Sequence, residues 1–458
     1  MTIEQIYTGC LAQGAYYIES QGEAAVIDPL RSPEPYLERA RKAGDTIKYI
    51  FETHFHADFV SGHLDLARAT GAKIVYGPGA KTDYDKYEAK DGEEFQLGEV
   101  TIRALHTPGH TLESTTYLLL DERGTPKAIF SGDTLFIGDV GRPDLAQKKG
   151  ALTTEDLAGL LYDSLRRKIM VLPDDIIVYP AHGAGSACGK KMSRETTDTL
   201  GNQKATNYAL RPDMTRQEFV EEVTAGLLPP PAYFNENVRM NKAGYDSFAT
   251  VMERGAVALP PQQFEEVANR EAALILDVRS KEDFVKGFIP NSIFIGIDGS
   301  FAPWAGELIP DLQQPILLVT EAGRESETVE RLSRVGYDNT LGYLEGGIDA
   351  WKAYGGEVDT IDTITAGQFQ PEQAAHILDV RKQSEYESGH LRHSHNIPLA
   401  TLPSSTNTLD PTKEYYLHCG SGYRSTIASS LLKARGFDRI VNVQDQVAEI
   451  LAAESADV

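Results

Sequence analysis

Cysteine, positive charge and long apolar runs are all scarce in this chain of 458 residues, and each scarcity removes a class of reading. Cysteine occurs only at positions 10, 188 and 419. An odd number spread this widely builds neither a disulfide framework nor a cysteine zinc knuckle, so a thiol that matters here matters through its reactivity. Lys and Arg number 44 against 67 Asp and Glu, a formal net charge of −23. Such an exterior repels polyanions, which argues against nucleic acid or an anionic membrane as partner. No run of 18 apolar residues occurs, and the N-terminus "MTIEQIYTGCLAQGAYYIES" has no basic stretch leading into an apolar one. A cytoplasmic location is expected.

What is present is the composition of a folded protein, 41% hydrophobic and 24% charged, well away from the disordered regime. At about 150 residues per domain the length implies three domains, or two if one is large. The first 225 residues alternate β-type runs ("GAYYIE", "AAVID", "IKYIFETH", "AKIVYG", "VTIRALH", "TTYLLL", "KAIFSGD", "IIVYPAH") with helical patterns at 33–43 and 154–168. Several runs end in His or Asp, and the C-terminal ends of strands are where α/β folds gather catalytic groups. "GLLPPPAYF", 226–234, breaks the pattern; three successive prolines neither continue a helix nor join a central strand, so a stiff connector is expected. Beyond it "AALILDVRSKEDFVKGFIPNSIFI" (272–295) is matched by "AAHILDVRKQSEYESGHLRHSHNI" (374–397), an offset of 379 − 277 = 102 residues. That length is a duplicated domain, not a solenoid unit of roughly 20 to 50 residues, and each copy reads as a small α/β domain with a parallel sheet.

Four clusters follow β-type runs in the first part: "HFHAD" (54–58), "HTPGH" (106–110), "SGDTLF" (131–136) and "PAHG" (180–183). One histidine alone is most simply a surface or satisfied core residue; four such clusters are a metal site in the making. Their order and context resemble the metallo-β-lactamase superfamily over about the first 240 residues, which implies an αββα sandwich. Two-metal members carry a second histidine directly after the position of Asp58, where this chain has Phe59. Without that nitrogen a second cation would have only Asp58, His182 and a shared Asp133, so the second site is expected to be empty. Within the superfamily the resemblance is to persulfide dioxygenases. It implies one Fe(II) per chain held by His54, His110 and Asp133, with His56, Asp58 and His182 around it and open positions for substrate and O₂. It also implies that Arg142, in "GDVGRPDLAQ" (138–147), grips carboxylates of a thiol substrate; stapling its own loop is the alternative. Cys188, in "GAGSACGKK" (183–191), is either an inert buried thiol or a sulfur relay whose thiolate Lys190 and Lys191 would favour. Cys10 has no such context and reads as structural.

"HCGSGYRS" (418–425) places Cys419 and Arg424 in a C-x₄-R loop between a strand and a helix. Inward N–H groups and the guanidinium there can lower a thiol pKa and cradle an anionic sulfur. With "LDVR" and "EYESGH" this resembles a rhodanese, a sulfurtransferase carrying sulfur as a cysteine persulfide. Phosphatases with a related cradle use C-x₅-R. The central copy has Thr320 at the equivalent position, in "TEAGRES", and resembles a rhodanese without its nucleophile.

The combination resembles persulfide dioxygenase–sulfurtransferase fusions. It implies a metallo-β-lactamase-like domain (1–245), a silent rhodanese-like domain (255–357) and an active one (360–458), in a homo-oligomer. The implied reaction oxidises a low-molecular-weight persulfide, of glutathione, coenzyme A or a similar thiol, with O₂ to sulfite, and Cys419 then delivers sulfane sulfur to give thiosulfate. The main alternative is a zinc thioester hydrolase of the glyoxalase II type, joined to a rhodanese sulfur-binding module.

Overall fold

The computed structural model describes residues 1–145, 152–227 and 229–455. The last two residues of "GDVGRPDLAQ" and Leu228, just before the prolines, lie outside them. Two compact units are present, Met1–Phe248 with Ser333–Gly336, and Ala249–Leu332 with Tyr337–Val458.

The first unit is built on two six-stranded sheets, each in chain order. One comprises β1 (Thr2–Thr8), β2 (Gln13–Ser20), β3 (Glu23–Ile27), β4 (Thr46–Phe51), β5 (Lys73–Tyr76) and β6 (Tyr87–Glu88). The other comprises β7 (Glu94–Leu97), β8 (Val100–His106), β9 (Thr115–Leu120), β10 (Pro126–Gly132), β11 (Ile177–Pro180) and β12 (Asp198–Thr199). The run "TTYLLL" of β9 shows why these strands lack polar alternation. Tyr117 and Leu119 pack into the core between the sheets with Phe51 and Phe130. Leu118 and Leu120 pack on the other side with Ala158 and Leu161 of the helix Thr154–Ser164. Both faces are buried, so both residue sets are apolar, and each fully buried side chain contributes roughly 1.5–3 kcal/mol. On the outer face of the first sheet, Ala24 and Val26 meet Tyr36 and Leu66 from the helices Glu34–Ala43 and His63–Thr70. The result is a four-layer αββα sandwich. The helix Thr154–Ser164 begins where it does because Thr153 and Asp156 form a reciprocal capping box.

The proline stretch sits inside this first unit. Helix Phe234–Ala243 follows it, and its Asn241 reaches the loop after β4.

The second unit carries two five-stranded sheets of one topology. β13 (Ala258–Leu259), β14 (Leu274–Asp277), β15 (Ile293–Phe294), β16 (Ile316–Val319) and β17 (Thr340–Leu344) are ordered β13-β17-β16-β14-β15. β18 (Asp362–Ile364), β19 (Ile377–Asp379), β20 (Ser394–Asn396), β21 (Tyr415–His418) and β22 (Ile440–Val443) are ordered β18-β22-β21-β19-β20. All pairings in both sheets are parallel. The repeated "LDVR" is a structural brace: Arg279 Nη2 donates to Asp277 Oδ2 (2.6 Å) and Gly287 O (2.8 Å), and Arg381 Nη2 does the same to Asp379 Oδ2 (2.6 Å) and Gly389 O (2.7 Å). Among the described residues no helix is long and apolar enough to cross a membrane.

Candidate metal centre and thiol loop

Each candidate ligand follows a strand. His54, His56 and Asp58 come after β4, His110 between β8 and β9, Asp133 directly after β10, His182 and Cys188 after β11. The sandwich thereby brings four sequence-distant loops to one end. His110 Nε2 lies 3.3 Å and His54 Nε2 3.8 Å from Asp133 Oδ2, and the three donor atoms fall within 4.8 Å of one another.

Hydrogen bonds behind the imidazoles set which nitrogen faces inward. His110 Nδ1 is 2.8 Å from the Arg142 carbonyl, an acceptor only, so Nδ1 carries the proton and Nε2 presents a lone pair. Thr53 Oγ1 donates to Asp28 Oδ2 (2.8 Å) and lies 3.0 Å from His54 Nδ1, which makes it the acceptor for that ring and again leaves Nε2 free. Burial, then the neighbouring His56, His110 and His182, hold His54 well below the usual histidine range, the neutral form a metal requires. Gly132 has φ +54°, and a Cβ there would stand 2.6 Å from the Thr53 side chain, so only glycine lets β10 deliver Asp133 this close to Thr53.

His182 Nε2 stands 3.4 Å from Asp58 Oδ2 and 3.7 Å from Asp133 Oδ1. Cys188 joins Asp133 and His182 in a cluster of donor atoms within 4.8 Å of one another. Burial raises Asp58 above the carboxylate range, against the pull of His182 and His56. Burial, then Asp58 and Asp133, push the Cys188 thiol well up. His56 belongs as much to a different cluster. Its Nε2 is 3.1 Å from Asp28 Oδ1 and 3.6 Å from Glu52 Oε2, and its ring stacks on Phe59 at 4.2 Å. Burial pulls its pKa down, but Asp28 and then Glu52 outweigh this and lift it to about 9.

These residues fit a cation. Both Asp133 oxygens, Asp58 Oδ1 and both His182 nitrogens are buried without a hydrogen-bond partner, a costly state for a protein interior that a divalent ion relieves.

The expected role of Lys190 and Lys191 beside Cys188 is corrected. Lys190 Nζ donates to the Glu222 and Ala225 carbonyls and Lys191 Nζ to Glu222 Oε1, because the turn aims both side chains at the helix Arg216–Thr224. Arg142 is 6% exposed and braced in its own loop, donating from Nε and Nη2 to the Asp144 oxygens (both 2.7 Å). Sequence reasoning missed Asp28, Thr53 and Asn241. Asn241 donates to the His56 and Phe59 carbonyls (both 2.9 Å) and accepts from Ser61 N (2.9 Å), pinning the whole ligand loop from 180 residues away in the chain. Only Thr53 carried a local signal, its place beside His54.

In the second unit, Cys419 follows β21 and precedes the helix Tyr423–Lys433. It is 1% exposed. Gly422 turns the loop at φ +85°, and a Cβ there would meet the Gln444 carbonyl at 2.9 Å. Arg424 is held by Glu385 through two bonds of 2.6 and 2.8 Å, which lower Glu385 to about 2. In the central copy, Thr320 follows β16, and Arg324 is taken up by Asp298 and Glu327. Cys10 is half-buried and free.

Two family models match: the metallo-beta-lactamase superfamily over residues 8–182 and the rhodanese-like domain over 260–354 and 365–452. The hydroxyacylglutathione hydrolase of Rhodopseudomonas palustris is 30% identical over 236 residues, 51% of this chain and 83% of that one. The probable hydroxyacylglutathione hydrolase glo2 of Schizosaccharomyces pombe is 34% identical over 162 residues, 34% of this chain and only 58% of its own length. A solved metallo-beta-lactamase structure from Staphylococcus aureus has a TM-score of 0.65 at 32% identity, covering 75% of this chain and 98% of that one. The curated relatives are named for hydrolysis of an acylated glutathione, not for oxygenation of a persulfide. The expected persulfide dioxygenase, with its sulfite and thiosulfate products, is therefore corrected. The metallo-β-lactamase sandwich, the two parallel-sheet repeats and these matches agree that the chain belongs to the metallo-beta-lactamase superfamily and carries two rhodanese-like domains after its N-terminal domain.

Proposed function

We propose that the N-terminal domain is a zinc-dependent thioester hydrolase acting on acylated thiols of the hydroxyacylglutathione class, joined to a sulfur-binding module whose reactive group is Cys419. The observation that carries the reading is the buried His54–His110–Asp133 cluster, whose inward nitrogens are fixed as lone pairs and whose carboxylate oxygens have no other partner. Two imidazoles and a carboxylate with room for one more ligand are the donor set of catalytic zinc. The bound ion would polarise a thioester carbonyl and acidify water.

The chain's own groups supply the rest. His54 and His110 are oriented through Thr53 and the Arg142 carbonyl. Asp58 and His182, 3.4 Å apart, stand beside this cluster and can position an attacking water. In the second unit, the Cys419 thiolate would attack the outer sulfur of a small-molecule persulfide; that S–S bond breaks, the donor leaves as a thiolate, and a persulfide remains on Cys419.

The test is turnover of an S-hydroxyacyl glutathione by zinc-loaded protein, followed by loss of thioester absorbance. Hydrolysis abolished by a chelator, and by His110→Ala, is the expected result; inertness of the zinc-loaded protein toward such thioesters would overturn the reading. Elemental analysis of the purified protein separates zinc from the single Fe(II) that the sequence resemblance implied. Mass spectrometry after exposure to a persulfide should show a one-sulfur gain on Cys419, absent in Cys419→Ser.

A further inference from the structure

We infer that Cys188 is a ligand of a second cation, held with Asp58, Asp133 and His182 beside the ion assigned to His54, His110 and Asp133. The inference rests on that first assignment, because Asp133 would bridge the two ions.

The sequence removes the usual nitrogen at this place. Phe59 is fully buried and stacks on His56, so it offers the position nothing but a ring face. The loop after β11 supplies a replacement from the opposite side. The Cys188 sulfur lies within 4.8 Å of donor atoms of both Asp133 and His182, and His182 Nε2 is 3.4 Å from Asp58 Oδ2. Asp58 Oδ1, Asp133 Oδ1 and His182 Nε2 have no hydrogen-bond partner, although their residues are only 5%, 2% and 2% exposed. Buried donors of Asp133 and His182 gathered around one thiol, with Asp58 on the far side of His182, are what a cation site looks like when the donors are considered alone.

Cys188 is also held as a ligand must be held. Its backbone N–H donates to Ser186 Oγ (3.1 Å) and its carbonyl accepts from Arg142 N (3.0 Å). The Arg142 carbonyl in turn fixes His110 at 2.8 Å, so one residue's backbone positions a donor of each site. A sulfur relay fits less well. The thiol is 1% exposed, the two nearby lysines are engaged elsewhere, and two carboxylates repel a bare thiolate. A cation reverses that repulsion: Cys188–SH gives its proton to solvent as the sulfur–metal bond forms, with no change in oxidation state. Thiolate, imidazole and carboxylate together suit zinc.

Cobalt(II) chloride is the probe, added to the metal-free full chain. Thiolate coordination gives an intense sulfur-to-cobalt charge-transfer band in the near ultraviolet. The expected result is two cobalt per chain with that band. In Cys188→Ala the count falls to one and the band disappears, whereas Cys419→Ala keeps both. Cys188→Ser, close to isosteric, guards against a folding defect and should also lose the band. Phe59→His added to Cys188→Ala should restore the second ion without restoring the band. One cobalt per chain in the unsubstituted protein, absence of the band, or a band that survives Cys188→Ala would each overturn the inference. Failure of the first-site assignment would read differently, as a cobalt count unchanged by His54→Ala. Thioester turnover is scored separately from both.

Discussion

Single atoms decide whether the metal centre is preorganised. Thr53 Oγ1 is shared between Asp28 Oδ2 and His54 Nδ1, so it fixes a tautomer without touching the ion. Thr53→Val keeps the side-chain shape, frees the His54 ring and leaves the Asp28 oxygen unpaired. Its effect should be a cation affinity about 10- to 100-fold lower, measured by competition with a chelator, with the fold intact by circular dichroism. His418 shows the same sensitivity in the other unit. Burial, only partly opposed by Asp379 3.8 Å away, lowers it to about 4. A folded-state value below the unfolded 6.5 means the unfolded chain binds more protons between the two. The stability held in the neutral ring is fully present above pH 6.5 and is lost as the pH falls toward 4, on the order of 3 kcal/mol in all. Urea unfolding of the Cys419-bearing unit across that window should show the loss, and the difference between the natural protein and His418→Leu isolates it from other titrating groups.

Loops and helices set what those atoms can reach. The ligand loop after β4 has no regular structure of its own, and Asn241 supplies three of its hydrogen bonds from a distant helix. Asn241→Ala should cost about 3 kcal/mol, because it leaves buried backbone groups unpaired, and should raise amide exchange across residues 54–61. The Cys419 loop depends instead on one backbone conformation. Gly422→Ala must accept φ +85° and a 2.9 Å approach to the Gln444 carbonyl; a loss of at least about 1 kcal/mol and impaired sulfur loading of Cys419 are expected. These elements also mark where the sequence could be read. "TTYLLL" and "ILDVR" announced buried strands because a short continuous apolar run is a local property, and the four histidine clusters were visible because each follows its own strand. Asp28 and Asn241 carried no local mark; only the folded chain brings them to residues 53 and 56. Cys188 stood in view beside His182, but its short distance to Asp133 comes from the crossing of two loops, which spacing along the chain does not encode.

For the molecule as a whole, the metal centre is also a stability device for the unit that contains it. The His54, His110 and Asp133 donors come from three loops, after β4, between β8 and β9, and after β10, so a bound ion would tie both sheets of the sandwich together at one end, while its removal leaves partnerless charged and polar atoms in the interior. The linkage is quantitative: an ion present at about 1,000 times its dissociation constant stabilises the native state by about 4 kcal/mol. No ligand of this centre belongs to the five-stranded sheets, where Asp–Arg braces and apolar cores do the holding. Chelation should therefore speed amide exchange in β4, β9 and β10 while leaving β14, β16, β19 and β21 unchanged, measured by hydrogen–deuterium exchange on the full chain with and without added zinc. Equal loosening of both strand sets, or none in the first, would mean that the centre contributes nothing to holding the sandwich together.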